Sequence, residues 1–184
     1  MSRWNLPTTA EVCGQSFAIR SDFRAVLDAL AALQDEELPP LARRMACLQI
    51  LYPRWQALPD AAQAFEQAMA FINLGQPPQD TAPRGTPVVD WQQDAQLIAP
   101  AVDGVLGYSC RQCSYLHWWD FVGAYRNIRS EGLFSTVVRI RLKKKQGRRL
   151  EKEELDFMRE NPDLIRPPRP RTEQEKRLLA MLGE

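Results

Sequence analysis

The segment Tyr115–Ile128, YLHWWDFVGAYRNI, carries the only histidine of the chain, two adjacent tryptophans, a phenylalanine and two tyrosines within one helix length. Aromatic surface at this density has to be covered, so any fold of this chain must be assembled around it. On a helix, Leu116, Trp119, Val122 and Tyr125 share a stripe, which Trp118 and Phe121 extend, while Asp120, Arg126 and Asn127 supply the wet side. The simplest reading is a core helix; the sharper one is a face that binds a partner. A lone His117 beside Trp118 makes no catalytic site, because general base chemistry needs an orienting group and a substrate pocket.

The rest of the chain supports a mainly α, compact helical domain. Val12, Phe17 and Ile19 flank a turn centred on Gly14 and predict a short N-terminal β-hairpin. Ser21 is a candidate N-cap for a helix with Phe23, Val26, Leu27, Leu30 and Leu33 on one face. Pro39 and Pro40 open a second helix, running through Leu41, Met45, Leu48 and Tyr52 and stopping before Pro53. Asp60 or Pro59 begins a third, with Phe65, Met69 and Ile72 inward and Gly75 as a left-handed cap.

Residues 75–88 are rich in glycine, proline and polar residues and predict a surface linker. Trp91, Ala95, Ile98, Val102, Val105 and Leu106 then fall on a helical face that Pro100 should kink. Ser114 is the expected cap of the aromatic helix, extending to about Ser130. Ser135 can cap a helix holding Val137, Val138 and Ile140, although the alternation in VVRIRLK also suits a strand. Leu150 to Met158 favours helix, and Pro162, Pro167, Pro168 and Pro170 close it in an extended run. Thr172 and Glu175 match a capping box before a short terminal helix. We therefore divide the chain into a helical domain, residues 1–133, and a basic, Pro-rich extension, residues 134–184.

Charge separates the same two parts. Residues 139–184 hold 14 Lys and Arg against 9 Asp and Glu, a balance of +5, while residues 1–138 hold 10 against 14, a balance of −4. The total of +1 carries no global nucleic-acid signature. MSRWNLPTTAEV has no apolar signal-peptide region, and no apolar run reaches the roughly 18 residues of a membrane helix. These features predict the cytoplasm, with thiols reduced and no membrane contact.

Three constellations could carry chemistry. Cys110, Cys113 and His117 offer three zinc ligands within eight residues, but a structural zinc site closes on four. Arg139, Arg141, Lys143, Lys144, Lys145, Arg148 and Arg149 could meet phosphates, yet Glu151, Glu153, Glu154 and Asp156 follow immediately, and a solvated helix end is the simpler reading. Asp90, Asp94 and Asp103 are better suited to favouring a helix dipole than to acid–base work. The chain contains no phosphate loop, dinucleotide fingerprint, nucleophile elbow or zinc-protease motif. It is therefore expected to be non-enzymatic and to need no cofactor.

The succession Val12 to Arg24, Leu33 to Leu38, Leu51 to Pro53, Phe71 to Gly75, Asp90 to Ile98 and Tyr115 to Phe121 resembles the bacteriophage gp-fifteen family, encoded in the tail modules of long-tailed phages and prophages. The resemblance runs to roughly Leu133 and is most specific at Leu116-His117-Trp118-Trp119-x-Phe121; Cys110 to Cys113 depart from the family pattern. It implies a tail assembly chaperone in the host bacterial cytoplasm, binding the tape-measure protein or other tail proteins, with self-association open. The alternatives are a minor structural tail component and a small zinc- or nucleic-acid-binding module. On this reading Trp119, Phe121 or Val122 face the core, and His117, Trp118 and Tyr125 are the candidate partner-binding residues.

Overall fold

A computed structural model of the chain describes residues 4–76 and 87–166. The linker residues between these stretches, the proline-rich run from Pro167 and the terminal helix expected after Thr172 lie outside the described residues. Among the described residues the fold is mainly α with one small hairpin, and no helix is long and apolar enough to cross a membrane.

Strands β1 (Thr9–Val12) and β2 (Gln15–Ala18) pair antiparallel, Val12 opposite Gln15 and Thr9 opposite Ala18. Cys13 and Gly14 both have positive φ, +50° and +74°, as the two-residue turn that matches strand twist requires. Alternation along β1 buries Ala10 and Val12 and exposes Thr9 and Glu11. The hairpin lies on α3, with the Cys13 N–H donating to Gln63 Oε1.

Helix α1 (Phe23–Gln34) is capped by Asp22 rather than the neighbouring Ser21: its carboxylate accepts the Arg24 N–H at 3.0 Å. Helix α2 (Pro40–Leu51) starts at its proline and packs on α1. Leu41, expected inward, is exposed because α2 turns Cys47, Leu48 and Leu51 to the core instead. Helix α3 (Ala61–Ile72) is capped by Asp60 as expected. Its buried Ala64 and Ala68 admit the fully buried Tyr52, whose hydroxyl donates to the Ala64 carbonyl at 2.9 Å.

The chain leaves α3 through a Schellman turn, Gly75 N–H to Ala70 O at 2.8 Å and Leu74 N–H to Phe71 O at 3.1 Å. Leu74 takes a left-handed conformation there, φ +58°, and Gly75 follows at +78°. An added Cβ on Gly75 would come within 3.3 Å of the Trp119 ring, so both backbone angle and space demand glycine.

Helix α4 (Ala95–Leu106) is continuous through Pro100 and ends at a left-handed Gly107. Helix α5 (Trp118–Arg126) packs on α4 and α1. The VVRIRLK alternation resolves as helix: α6 (Leu133–Lys145) places Phe134, Val137, Ile140 and Arg141 on one buried face and leaves Leu142 exposed. It starts at Leu133, two residues before the expected Ser135 cap, and runs across the expected domain boundary. Phe134 belongs to the main core, while Val137 and Ile140 form a smaller one with Ile165. Helix α7 (Lys152–Glu160), begun by a Glu151/Glu154 capping box, and the turn α8 (Pro162–Ile165) close that second core. Pro162 thus opens a helical turn instead of an extended run.

Candidate functional site

The aromatic segment does not begin as a helix at Ser114. Tyr115 to His117 are extended and stitched to Ser21–Phe23: the Phe23 N–H donates to Leu116 O at 3.0 Å and the Trp118 N–H to Ser21 O at 2.7 Å. Asp22 Oδ2 accepts the Leu116 N–H, and Ser21 Oγ shares a hydrogen bond with Tyr115 Oη at 2.7 Å. The backbone groups a longer helix would use are spent on the α1 entry, so α5 starts only at Trp118.

His117 is the N-cap of α5. Its Nδ1 accepts the Trp119 N–H at 3.1 Å, and its Nε2 faces the Pro7 carbonyl at 2.9 Å. An acceptor at Nδ1 and a donor at Nε2 assign the neutral Nε2–H tautomer. Both ring nitrogens are thereby engaged, and the ring packs edge-on to Phe71.

The two tryptophans serve α3, some 46 residues earlier in the chain. Trp118 Nε1–H donates to Ile72 O and Trp119 Nε1–H to Phe71 O, each at 2.9 Å. Adjacent indoles thus donate to two carbonyls of the last turn of α3, of which Phe71 O also accepts the Leu74 N–H. Phe121 stacks on Phe23 with centroids 4.4 Å apart, and Trp91 bridges Trp118, Phe121 and Tyr125.

This arrangement corrects the expected orientation of the segment. His117 and Trp118, expected on the partner surface, are 2% and 3% exposed. Tyr125 is half-buried between Trp91 and Phe134. Phe121 and Val122 are buried as expected, at 2% and 8% exposure, and Trp119, expected with them, is partly buried against the same core. The cause is the later helix start together with the two α3 carbonyls, which fix where each indole N–H must point.

The zinc candidates are not brought together. His117 has no free ring nitrogen, and the Cys113 thiol donates to Cys110 O at 3.1 Å. The cysteine loop is instead clamped from outside by Arg24, whose Nη2 donates to Cys110 O at 3.0 Å and Cys113 O at 2.7 Å. Among the described residues no group of three or more His, Cys, Asp or Glu could hold a metal ion. Burial and the neighbouring Asp103 push the Cys110 thiol up to about 12, and burial alone pushes Cys47 to about 11. In the native protein a thiol-directed alkylating reagent should therefore modify exposed Cys13 first, with Cys47 and Cys110 reacting only in denaturant, as peptide mapping by mass spectrometry would read.

The basic run is partly consumed by the fold. Arg139 pairs with Glu154 at 3.1 Å, Lys143 with Glu154 at 2.8 Å and Glu151 at 3.1 Å, and Arg141 is buried against Asp94. The hydrogen bond from Lys143 is the main influence holding the Glu154 carboxyl below its ordinary range. Lys144, Lys145, Arg148 and Arg149 remain on the surface. Of the three aspartates, Asp90 caps the turn before α4 and Asp103 accepts the Cys110 N–H at 2.7 Å. The pairing of Asp94 with Arg141 is the feature sequence reasoning misses: it reads Asp94 as favouring a helix dipole and Arg141 as part of a solvated helix end.

What the aromatic segment leaves open is a cleft of about 380 Å³ on its outer side. Its α5 wall is Trp119, Asp120, Gly123, Ala124 and Asn127; the facing wall is Val105 and Leu106 at the end of α4, with Tyr108 beyond. Tyr108 is 49% exposed and Val105 is also partly open to solvent.

The fold and this surface define a small, mainly helical protein with an N-terminal hairpin and an open apolar cleft. A family model described as Bacteriophage Gp15 protein matches residues 4–164, and the chain belongs to that family. No curated protein and no solved structure matches it.

Proposed function

We propose that this phage protein is a tail assembly factor that works by reversible, non-catalytic contact in the host cytoplasm, as a chaperone for the tape-measure protein. The observation that carries the reading is the α4–α5 cleft, a shallow depression in which exposed Val105 and Tyr108 face Trp119 and Gly123 of the aromatic segment. A helical tape-measure protein has long apolar stripes to protect until tube subunits enclose it, and a groove between helices is a suitable receptor for such a stripe. Family membership supports the phage context, and the resemblance to tail-module proteins supports the partner.

Co-expression with the tape-measure protein is expected to give a soluble complex that co-purifies. A tape-measure protein equally soluble alone, with no complex, would sink the reading. Mass spectrometry of purified virions should find the chain absent; its presence in fixed stoichiometry would make it a structural tail component instead.

A further inference from the structure

We propose that the α4–α5 cleft receives one amphipathic α-helix of the partner, with a small residue against Gly123 and a lysine or arginine beside Asp120. This rests on the chaperone reading and specifies the chemistry of the segment bound.

The lining residues of α5 fall at positions 119, 123 and 127, with 120 and 124 beside them. That row runs along one face of α5 and its C-cap Asn127 over nine residues, about 12 Å from first to last at 1.5 Å per residue. With the end of α4 as the second wall, the cleft is a trough running along a helix, the shape left by two packed helices for a third.

Gly123 sits in the middle of α5, where glycine costs roughly 1 kcal/mol relative to alanine. Nothing among the described residues requires it: an added Cβ would meet none of their atoms within 4 Å, and its φ is not positive. A side chain at this position would enter the trough. The missing Cβ therefore benefits only an occupant that comes close to the α5 backbone, and close backbone approach is what a small residue on a docking helix provides.

Asp120 stands at the rim, exposed, and its side chain makes no ion pair or hydrogen bond with another described residue. Residues 1–138 carry 10 basic against 14 acidic groups, so the surrounding body is also net negative. A cation on the flank of the docking helix complements both, steering encounter as well as fixing register.

The test uses the full chain in two binding assays: co-purification with co-expressed tape-measure protein, and fluorescence anisotropy with a labelled amphipathic peptide. The peptide carries a central alanine, leucines four residues to either side and flanking lysines. Gly123→Leu should weaken the complex at least tenfold while leaving the thermal midpoint unchanged or raised; Val105→Arg on the opposite wall should do the same. Asp120→Lys should weaken it about fivefold, with recovery when the peptide lysines become glutamate. The inference is overturned if Gly123→Leu binds as the wild type does, or if the wild type forms neither complex. A peptide complex lost in Gly123→Leu without any tape-measure complex would reject the chaperone reading and keep the helix site. A wild-type dimer dissociated by Gly123→Leu would assign the trough to a second copy and overturn the partner helix.

Discussion

Arg141→Ala is expected to cost about 3–5 kcal/mol, the range for breaking a buried ion pair by removing one partner. Arg141 and Asp94 are 7% and 3% exposed, so neither charge can recover hydration when the other is lost. The guanidinium lies fork to fork on the carboxylate, Nη1 to Oδ2 at 2.7 Å and Nη2 to Oδ1 at 3.0 Å. Its remaining donors reach two carbonyls from separate parts of the chain, Nη1 to Val88 O at 3.0 Å, and Nε and Nη2 to Leu164 O at 3.1 and 2.7 Å. One side chain on α6 thus ties the entry of α4 to the end of α8, joining the edges of the two cores. Alanine leaves an unpaired buried carboxylate and strands the carbonyls as well. Urea unfolding followed by tryptophan fluorescence would read the loss as a lowered midpoint.

Two further variants separate charge from packing. Arg141→Lys keeps the charge but offers three donors from one nitrogen, so it cannot reproduce the fork and should be nearly as damaging. The double variant Asp94→Leu with Arg141→Met removes both charges and should be much more stable than Asp94→Leu or Arg141→Met alone, because burying neither ion avoids both desolvation costs. A double variant whose loss equals the sum of the single losses would show that the two residues act independently.

The sequence made the local elements legible where their causes are local. The hairpin follows from Gly14, the start of α2 from its prolines and that of α3 from Asp60; each depends on backbone chemistry within a few residues. The aromatic segment was read correctly as an organising element with Phe121 and Val122 inward, and wrongly in turning His117 and Trp118 outward. Ser114 looked like a cap because serine commonly is one, whereas His117 takes the role once residues 115–117 pair with 21–23. That pairing spans more than 90 residues and leaves no local periodicity. The α6 ambiguity has the same origin: Val137 and Ile140 face one side only because α7 and α8 cover it. Asp94 reads as a helix-dipole acid and Arg141 as a solvated helix-end base because each is judged by its neighbours in sequence; only a partner 47 residues away changes that. The cleft was not legible at all, since exposed Tyr108 and half-exposed Trp119 differ from buried aromatics only in where the folded chain places them.

Trp118→Ala should cost at least as much as Arg141→Ala, through a different mechanism. Removing a buried indole leaves a large cavity, and such truncations cost about 3–5 kcal/mol. Trp118 sits among Trp91 at 6.0 Å and Phe121 at 5.9 Å, rings already held by Phe23 and Tyr125, so the site can collapse little. Its loss also strands the Ile72 carbonyl at the end of α3, a buried acceptor whose desolvation then goes unanswered. Trp118→Phe separates the two effects: it keeps most of the packing and loses the hydrogen bond, with an expected cost of about 1–3 kcal/mol. Trp119→Phe removes a bond of the same length, 2.9 Å to Phe71 O, but that carbonyl keeps the Leu74 N–H at 3.1 Å and the position is partly open to water. Its cost should stay below about 1 kcal/mol. Equilibrium unfolding of the three variants should thus rank Trp118→Ala, Trp118→Phe, Trp119→Phe in falling order of damage. Equal costs for the two phenylalanine variants would mean that neither the Leu74 N–H nor water makes up for the lost indole at the Phe71 carbonyl.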